Sequence, residues 1–150
     1  MGDRYVSFIL GTERYCVPVA QVLQILRHEK LLEIPKAPPF VEGVINLRGD
    51  IIPVVNLKKR LELPEETRER KKERIIITQV GSRCYGLAVD EVREIVEIDE
   101  ASFQGEAASL VGAHADCTRG VARHEDTLFL LLDLSRVLSV GREAPAAGPS

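Results

Sequence analysis

An internal repeat constrains the fold of this chain more than any other feature of its sequence. Residues 11–25, GTERYCVPVAQVLQI, align without gaps on residues 81–95, GSRCYGLAVDEVREI, at an offset of 70 positions. Residues 43–61, GVINLRGDIIPVVNLKKRL, align on residues 120–138, GVARHEDTLFLLLDLSRVL, at an offset of 77 positions. Two gap-free matches in the same order indicate two structural copies of one module rather than a chance likeness of short β patterns.

The two copies set the expected domain organisation. They span about residues 4–62 and 75–140. Because a module of roughly 60 residues buries little surface alone, we expect the copies to pack on a shared core within one domain over 4–140. Residues 64–74, PEETRERKKER, are almost wholly polar and are expected to form a solvated connection, as a turn of helix or a flexible loop. Residues 141–150, GREAPAAGPS, are expected to form a flexible tail.

Short β-rich runs separated by Gly, Pro or charged residues predict a mostly β chain. The predicted strands are Tyr5–Leu10, Tyr15–Val19, Val44–Leu47, Ile51–Val55, Ile75–Val80, Tyr85–Val89 and Leu128–Leu132. Short helices are predicted at Ala20–Leu26, Leu57–Leu61, Val89–Glu94 and Leu134–Val140. Many short strands with few short helices indicate small barrels or a sandwich.

Composition narrows the classes of partner. The formal net charge of −3 and an aromatic content of 5% without Trp do not favour binding of a phosphate backbone or base stacking. No apolar run approaches the roughly 20 residues of a membrane helix, so no direct membrane insertion is expected. Cys16, Cys84 and Cys117 are odd in number and far apart, and the N-terminal MGDRYVSFIL has no basic-then-apolar leader. These features favour a reducing cytoplasm over a disulfide framework.

Metal and catalytic motifs are weak in this sequence. His114 and Cys117 are spaced as a ligand pair and His124 follows, but one such pair without a second Cys pair does not support a zinc site. The sequence has no Gly-rich phosphate loop, nucleophile elbow or HExxH motif. We therefore expect no metal, no cofactor and no enzymatic activity.

The repeat isolates one unusual segment. Between its paired strands the first copy has Leu47-Arg48-Gly49-Asp50, and the second has His124-Glu125-Asp126-Thr127. Both are polar and turn-like, as a hairpin tip requires. Only the first tip has a lone Arg beside Gly, so the shared fold alone does not account for Arg48.

The GVINLRG block at 43–49, followed by IPVVNL at 52–57, closely resembles the signature of the CheW-like domain family. Other segments match with some positions left variable: FILG at 8–11, YxVPV at 15–19, VxxI at 22–25, IP at 34–35 and, in the second copy, YGLxVDxV at 85–92. The resemblance covers about residues 4–140. It implies two small five-stranded, SH3-like β-barrels packed around a common core, with short helices.

The resemblance also implies which residues bind partners. Arg48 matches the family's signature Arg, which contributes to the surface that supports receptor–kinase coupling. Asn46 in the same block, and Val22, Gln24 and Ile25 in the earlier segment, complete the predicted partner-binding set. A purely structural Arg48 and core packing of Val22 and Ile25 stay open as alternatives, since both apolar residues recur in the second copy.

Gln24 departs from the family pattern. Family members commonly have an acidic residue there that could pair with the signature Arg, and an amide attracts a cation less than a carboxylate. Glu29 and Glu42 are the possible replacements. Gly43 and Gly49 are assigned structural turn roles, where a β-carbon is disfavoured.

The function implied by the resemblance is that of a free adaptor. Such adaptors bind the cytoplasmic tip of chemoreceptors and the CheW-like regulatory domain of the chemotaxis histidine kinase, in cytoplasmic arrays at the inner face of the membrane. One alternative is an adaptor of a non-flagellar pathway such as surface motility. Another is a small β-barrel module that binds a ligand or nucleic acid.

Overall fold

Ten strands account for most of the computed structural model, which describes residues 2–64, 70–105 and 116–139. In the first copy they are β1 Asp3–Leu10, β2 Glu13–Pro18, β3 Val22–Arg27, β4 Val41–Leu47 and β5 Asp50–Asn56. In the second copy they are β6 Arg74–Val80, β7 Arg83–Val89, β8 Glu91–Ile98, β9 Thr118–His124 and β10 Thr127–Leu132. Helix α1, Leu57–Arg60, follows β5, and helix α2, Leu134–Ser139, follows β10. Short 3-10 turns lie at Val19–Gln21, Arg70–Lys72 and Glu100–Ser102.

The strands form two five-stranded sheets that exchange strands between the copies. The first sheet has the order β8-β1-β2-β10-β9 and the second has the order β3-β6-β7-β5-β4. Each sheet therefore combines the first two strands of one copy with the last three of the other. The mixed pairs β2–β10 and β5–β7 are parallel. The strong prediction of a mostly β fold with two five-stranded units is confirmed.

Strand registers follow the repeat residue by residue. Val22 pairs with Thr78 in the second sheet, and its equivalent Val92 pairs with Phe8 in the first. The pairs Ile45–Ile52 and Ala122–Phe129 correspond in the same way at the offset of 77. Equivalent sequence positions therefore occupy equivalent places in two sheets related by a pseudo-two-fold axis.

Three apolar clusters lie within the described part of the chain. The largest lies between the sheets and takes residues from both copies, including Phe8, Tyr15, Ile76, Leu87 and Leu130. One further cluster lies on the other face of the first sheet, around Tyr5, Cys16, Val96, Phe129 and Leu131. The third lies on the corresponding face of the second sheet, around Ile45, Ile52, Val54, Ile75 and Ile77. Successive side chains along a strand point to opposite faces of its sheet. They therefore pack alternately into the core shared by the two sheets and into the cluster on the other face of their own sheet.

A backbone bridge curls each sheet. In the second sheet, Leu32 and Val44 exchange hydrogen bonds of 3.1 and 2.8 Å, which join the segment after β3 to β4 at the opposite edge. In the first sheet, Gln104 and Val121 exchange bonds of 2.9 and 3.1 Å. These bridges give each sheet the curvature of a small barrel.

Gly43 lies within β4, not in a turn as the sequence predicts. Its φ is 155°, and a β-carbon there would overlap the carbonyl oxygen of Leu32 and come within 2.9 Å of the Leu31 Cβ. The residue is glycine because the bridging segment passes directly over it.

Two predicted helices are wrong. The range Ala20–Leu26 is mostly β3, and Val89–Glu94 runs into β8. Each of these strands carries a β-bulge, between Val22 and Gln24 in β3 and at the matching place in β8. The extra residue spaces the apolar positions three apart, which imitates a helical period. The predicted helices at Leu57–Leu61 and Leu134–Val140 correspond to α1 and α2.

Three expectations fall wholly or partly outside the described residues. In the charged connection, residues 65–69 are not described, while Arg70–Lys72 form a 3-10 turn. The predicted tail at 141–150 and His114 also lie outside the described ranges. Within those ranges, no helix is long and apolar enough to cross a membrane.

Candidate partner-binding surface

The candidate surface centres on the tip of the β4–β5 hairpin. Leu47 pairs with Asp50, which leaves Arg48 and Gly49 as the two central turn residues. Their φ angles are 56° and 92°, the left-handed combination of a type I′ hairpin turn. Both residues are exposed. The backbone therefore projects the Arg48 side chain from the end of the sheet.

Arg48 is free of contacts that would explain it structurally. Among the described residues, its guanidinium has no hydrogen bond and no ion pair. The nearby Asn46 side chain is engaged by the turn itself, because its Oδ1 accepts a hydrogen bond from the Gly49 N–H at 2.9 Å. Asn46 thus contacts backbone, whereas Arg48 is available to a partner.

The three predicted residues on β3 fall into different environments. Val22 is half-buried and packs against the shared core. Gln24 is half-buried and pairs with Ile77, which belongs to the third apolar cluster, on the face of the second sheet that points away from the shared core. Ile25 is 41% exposed. Its cross-strand partner Ile76 belongs to the shared core, so Ile25 lies at the open rim of that core.

Gln24 lies on β3 and Arg48 follows β4, the two end strands of the second sheet's strand order. No hydrogen bond joins these two side chains in the described structure. Glu42 does not replace the missing acid, because its carboxylate lies 3.3 Å from the His28 Nε2 and accepts a hydrogen bond from the Asn56 Nδ2 at 3.0 Å.

Large exposed apolar side chains add to the surface, and most were missed in the sequence. They are Leu23, Ile25, Leu32, Ile51, Ile95 and Leu128, each at least 41% exposed. Four of them form two pseudo-symmetric pairs, Ile25 with Ile95 at the rims of the shared core and Ile51 with Leu128 beside the two tips. For the five that lie on strands, all except Leu32, the alternation of buried and exposed positions was the signal that could have identified them.

Two of the three cysteines are buried and the third, Cys84, is half-buried. Cys16 is fully buried, and burial raises the pKa of its thiol to about 12, the reverse of an activated nucleophile. Cys117 is also buried. Within the described ranges, no group of three or more His, Cys, Asp or Glu side chains could hold a metal ion.

A β-rich module whose candidate site is an exposed Arg tip and apolar rims belongs to the class of protein–protein interaction domains. The particular family follows from comparison with known proteins. The family model described as the CheW-like domain matches residues 4–142, so the chain belongs to the CheW-like family of scaffold and adaptor proteins.

Relatives across bacteria agree with this assignment. The chain is 31% identical over 137 residues to the chemotaxis protein CheW of Treponema pallidum, covering 89% of this chain and 81% of that protein. It is 32% identical to the chemotaxis protein CheW of Rhizobium meliloti, covering 95% and 92%. The crystal structure of the scaffolding protein TtCheW from Thermoanaerobacter tengcongensis is similar to this fold with a TM-score of 0.81 at 33% identity, covering 89% of this chain and 90% of that chain.

Proposed function

We propose that this chain is a non-enzymatic adaptor that couples chemoreceptor cytoplasmic tips to a chemotaxis histidine kinase. Its partners are the receptor tip and the CheW-like regulatory domain of the kinase. It acts in the cytoplasm, in receptor arrays at the inner face of the membrane. Two relatives carry the name chemotaxis protein, and a similar structure carries the name scaffolding protein, which supports this role.

The observation that carries the proposal is the state of Arg48. Its guanidinium is exposed, lies on a left-handed turn residue and has no hydrogen bond or ion pair among the described residues. The second tip has the same left-handed turn, so the feature particular to Arg48 is its exposed, unpaired charge. A guanidinium that bonds to nothing within the described chain is best explained by a partner that it binds, through the rigid fork that suits a carboxylate.

The rims of the shared core supply the apolar part of the interaction. Ile25 and Ile95 extend the inter-sheet core to the surface, with half-buried Val22 and Val92 beneath them. An amphipathic helix of a receptor tip could bury its apolar face against such a rim. Many weak contacts of this kind become effective together in an array.

Reconstitution of receptor-controlled kinase activity tests the proposal. The wild-type chain should retain a chemoreceptor cytoplasmic fragment and the kinase regulatory domain in pull-down, and not RNA or DNA. Arg48→Ala should stay folded and lower kinase activation by about tenfold or more, the effect of losing one charge-assisted hydrogen bond. Glu125→Ala is the matched control, because Glu125 is the equivalent residue of the second tip with a φ of 50°. Retention of nucleic acid but of neither protein would refute the proposal.

A further inference from the structure

The hydrogen bond from Gly49 to Asn46 acts on the peptide group that sets the direction of Arg48. The Gly49 N–H belongs to the peptide that joins the two central turn residues. In a type I′ turn this N–H points away from the strand ladder and has no backbone partner of its own. By accepting it at 2.9 Å, the Asn46 Oδ1 holds that peptide in one orientation. The backbone angles of Arg48 and Gly49 are restricted as a result.

The second tip shows that the fold does not need this hydrogen bond. Glu125 and Asp126 have φ angles of 50° and 65°, so the two tips share one turn shape. The position equivalent to Asn46 is occupied by Arg123, whose Nη2 lies 3.5 Å from the Asp126 carboxylate. Those side chains are 73% and 92% exposed, and such a pair contributes little. The hydrogen bond from the turn backbone to a side chain two residues before the first central residue is therefore a feature of the tip that carries Arg48.

We propose that Asn46 is a positioning residue for Arg48 rather than a residue that contacts the partner. Its amide oxygen pre-organises the tip, so that the Cα–Cβ bond of Arg48 is already directed outward when the partner arrives. This inference rests on the proposed function, since it assumes that Arg48 binds a receptor or kinase group. Pre-organisation of one side chain predicts that Asn46→Ala weakens binding roughly three- to tenfold.

The first measurement is made on the free protein and is independent of any partner. Solvent exchange of the Gly49 amide, followed by NMR, should be several-fold faster in Asn46→Ala than in the wild type. Asn46→Asp keeps an acceptor oxygen and should restore the slow exchange. Unchanged exchange in Asn46→Ala would overturn the inference, because the hydrogen bond would then not hold the peptide.

The second measurement is a double-mutant cycle with Arg48. Binding to the kinase regulatory domain and the receptor fragment is measured for the wild type, Asn46→Ala, Arg48→Ala and the double variant. If Asn46 acts through Arg48, Asn46→Ala weakens binding in the wild-type background and has no further effect when Arg48 is absent. Arg123→Ala at the second tip is the matched control and should bind as the wild type does.

The remaining outcomes separate the two proposals. Additive losses in the double variant would show that Asn46 contacts the partner itself, which overturns the positioning role and leaves the adaptor function intact. If Asn46→Ala binds as the wild type does while Arg48→Ala binds more weakly, the positioning role of Asn46 is also overturned and the adaptor function stays intact. If the wild-type chain binds neither partner, the adaptor function fails and the inference fails with it.

Discussion

The β4–β5 tip and the β9–β10 tip occupy equivalent places in the two copies but use their side chains differently. Both have two left-handed central residues, and both carry an exposed apolar residue one position beyond the turn, Ile51 or Leu128. The second tip pairs its charges locally, between Arg123 and Asp126. In the first tip, the Asn46 side chain accepts a hydrogen bond from the Gly49 backbone, and Arg48 is unpaired among the described residues. The comparison separates what the repeated fold requires, a polar left-handed turn, from what only one copy displays.

Alanine substitution of the equivalent glycines Gly43 and Gly120 is expected to give the largest difference in stability between the two copies. A β-carbon at Gly43 would overlap the Leu32 carbonyl oxygen, whereas at Gly120 it would lie 3.0 Å from the Phe103 Cβ and 3.3 Å from the Gln104 N. Gly43→Ala should lower the free energy of unfolding by about 3 kcal/mol and Gly120→Ala by about 1 kcal/mol, the range of overpacking costs. Urea denaturation of both variants measures the difference.

The ranking of the two glycine variants is the critical result. If Gly120→Ala is the more destabilised, the bridge over β4 is looser than the one over β9 and the comparison of the curled sheets is wrong. Gly11→Ala is a useful reference, because its φ of 65° is unfavourable for alanine while nothing lies within 4 Å of the added carbon. Gly11→Ala therefore measures the cost of a left-handed backbone for alanine, without the cost of steric overlap.

Asparagine substitutions at the two tips separate stability from binding. Asn tolerates the left-handed conformation better than Arg or Glu, and Asn-Gly is a preferred type I′ sequence. Arg48→Asn should therefore raise the free energy of unfolding by about 0.5 kcal/mol and abolish most kinase coupling. Glu125→Asn should give a similar stability gain without loss of coupling. Coupling that survives Arg48→Asn would assign the tip a structural role only.

Sequence patterns predicted the parts of the fold that depend on local composition. Short β-rich runs bounded by Gly, Pro or charged residues predicted seven of the strands, and the repeat indicated two equivalent modules. Strands β3 and β8 were missed because a bulge converts a two-residue period into a three-residue one. Strand β9 was missed because Arg119, Arg123 and His124 interrupt its apolar positions.

The exchange of strands between copies was beyond the reach of sequence patterns. An internal alignment identifies equivalent strands, but pairing β2 with β10 rather than with β5 is a long-range choice decided by the shared core. The same limit applies to the site. Arg48 stood out because its repeat partner is Glu125, whereas the role of Asn46 depends on a 2.9 Å contact with the Gly49 backbone.

Val22 and Ile25 lie on the same strand, and alanine substitutions there compare the effect of a core residue with that of a surface residue on stability and on binding. Val22 packs against the shared core, and Ile25 is 41% exposed at its rim. Val22→Ala should lower the free energy of unfolding by about 1 kcal/mol and Ile25→Ala by about half as much. Binding of the receptor fragment should show the opposite ranking. Equal binding by Ile25→Ala and the wild type would restrict the partner surface to the Arg48 tip.

The residues that cap the two helices occupy equivalent positions of the copies. The Asn56 Oδ1 accepts a hydrogen bond from the Lys59 N–H at 3.1 Å at the start of α1, and the Asp133 Oδ1 accepts one from the Arg136 N–H at 3.3 Å at the start of α2. Asn56→Ala should lower the free energy of unfolding by about 1 kcal/mol near neutral pH through loss of the cap, and it also removes the hydrogen bond from the Asn56 Nδ2 to the Glu42 carboxylate. Asp133→Asn keeps a capping oxygen and should cost less.

The oxygen that caps α2 belongs to a carboxyl group, so this cap depends on pH. Burial acts to raise the pKa of the Asp133 carboxyl, but hydrogen bonds from Ser135 and Arg136 and the charge of Arg136 outweigh it, so the pKa lies below its ordinary value of 3.8. A lowered pKa means that the carboxylate stabilises the fold fully above the ordinary value and loses that effect as the pH falls through the folded-state pKa. The difference in unfolding free energy between the wild type and Asp133→Asn should therefore be constant near neutral pH and shrink below about pH 3.8. A difference that grows on acidification would show that the Asp133 charge opposes folding of α2, contrary to the hydrogen bonds that surround it.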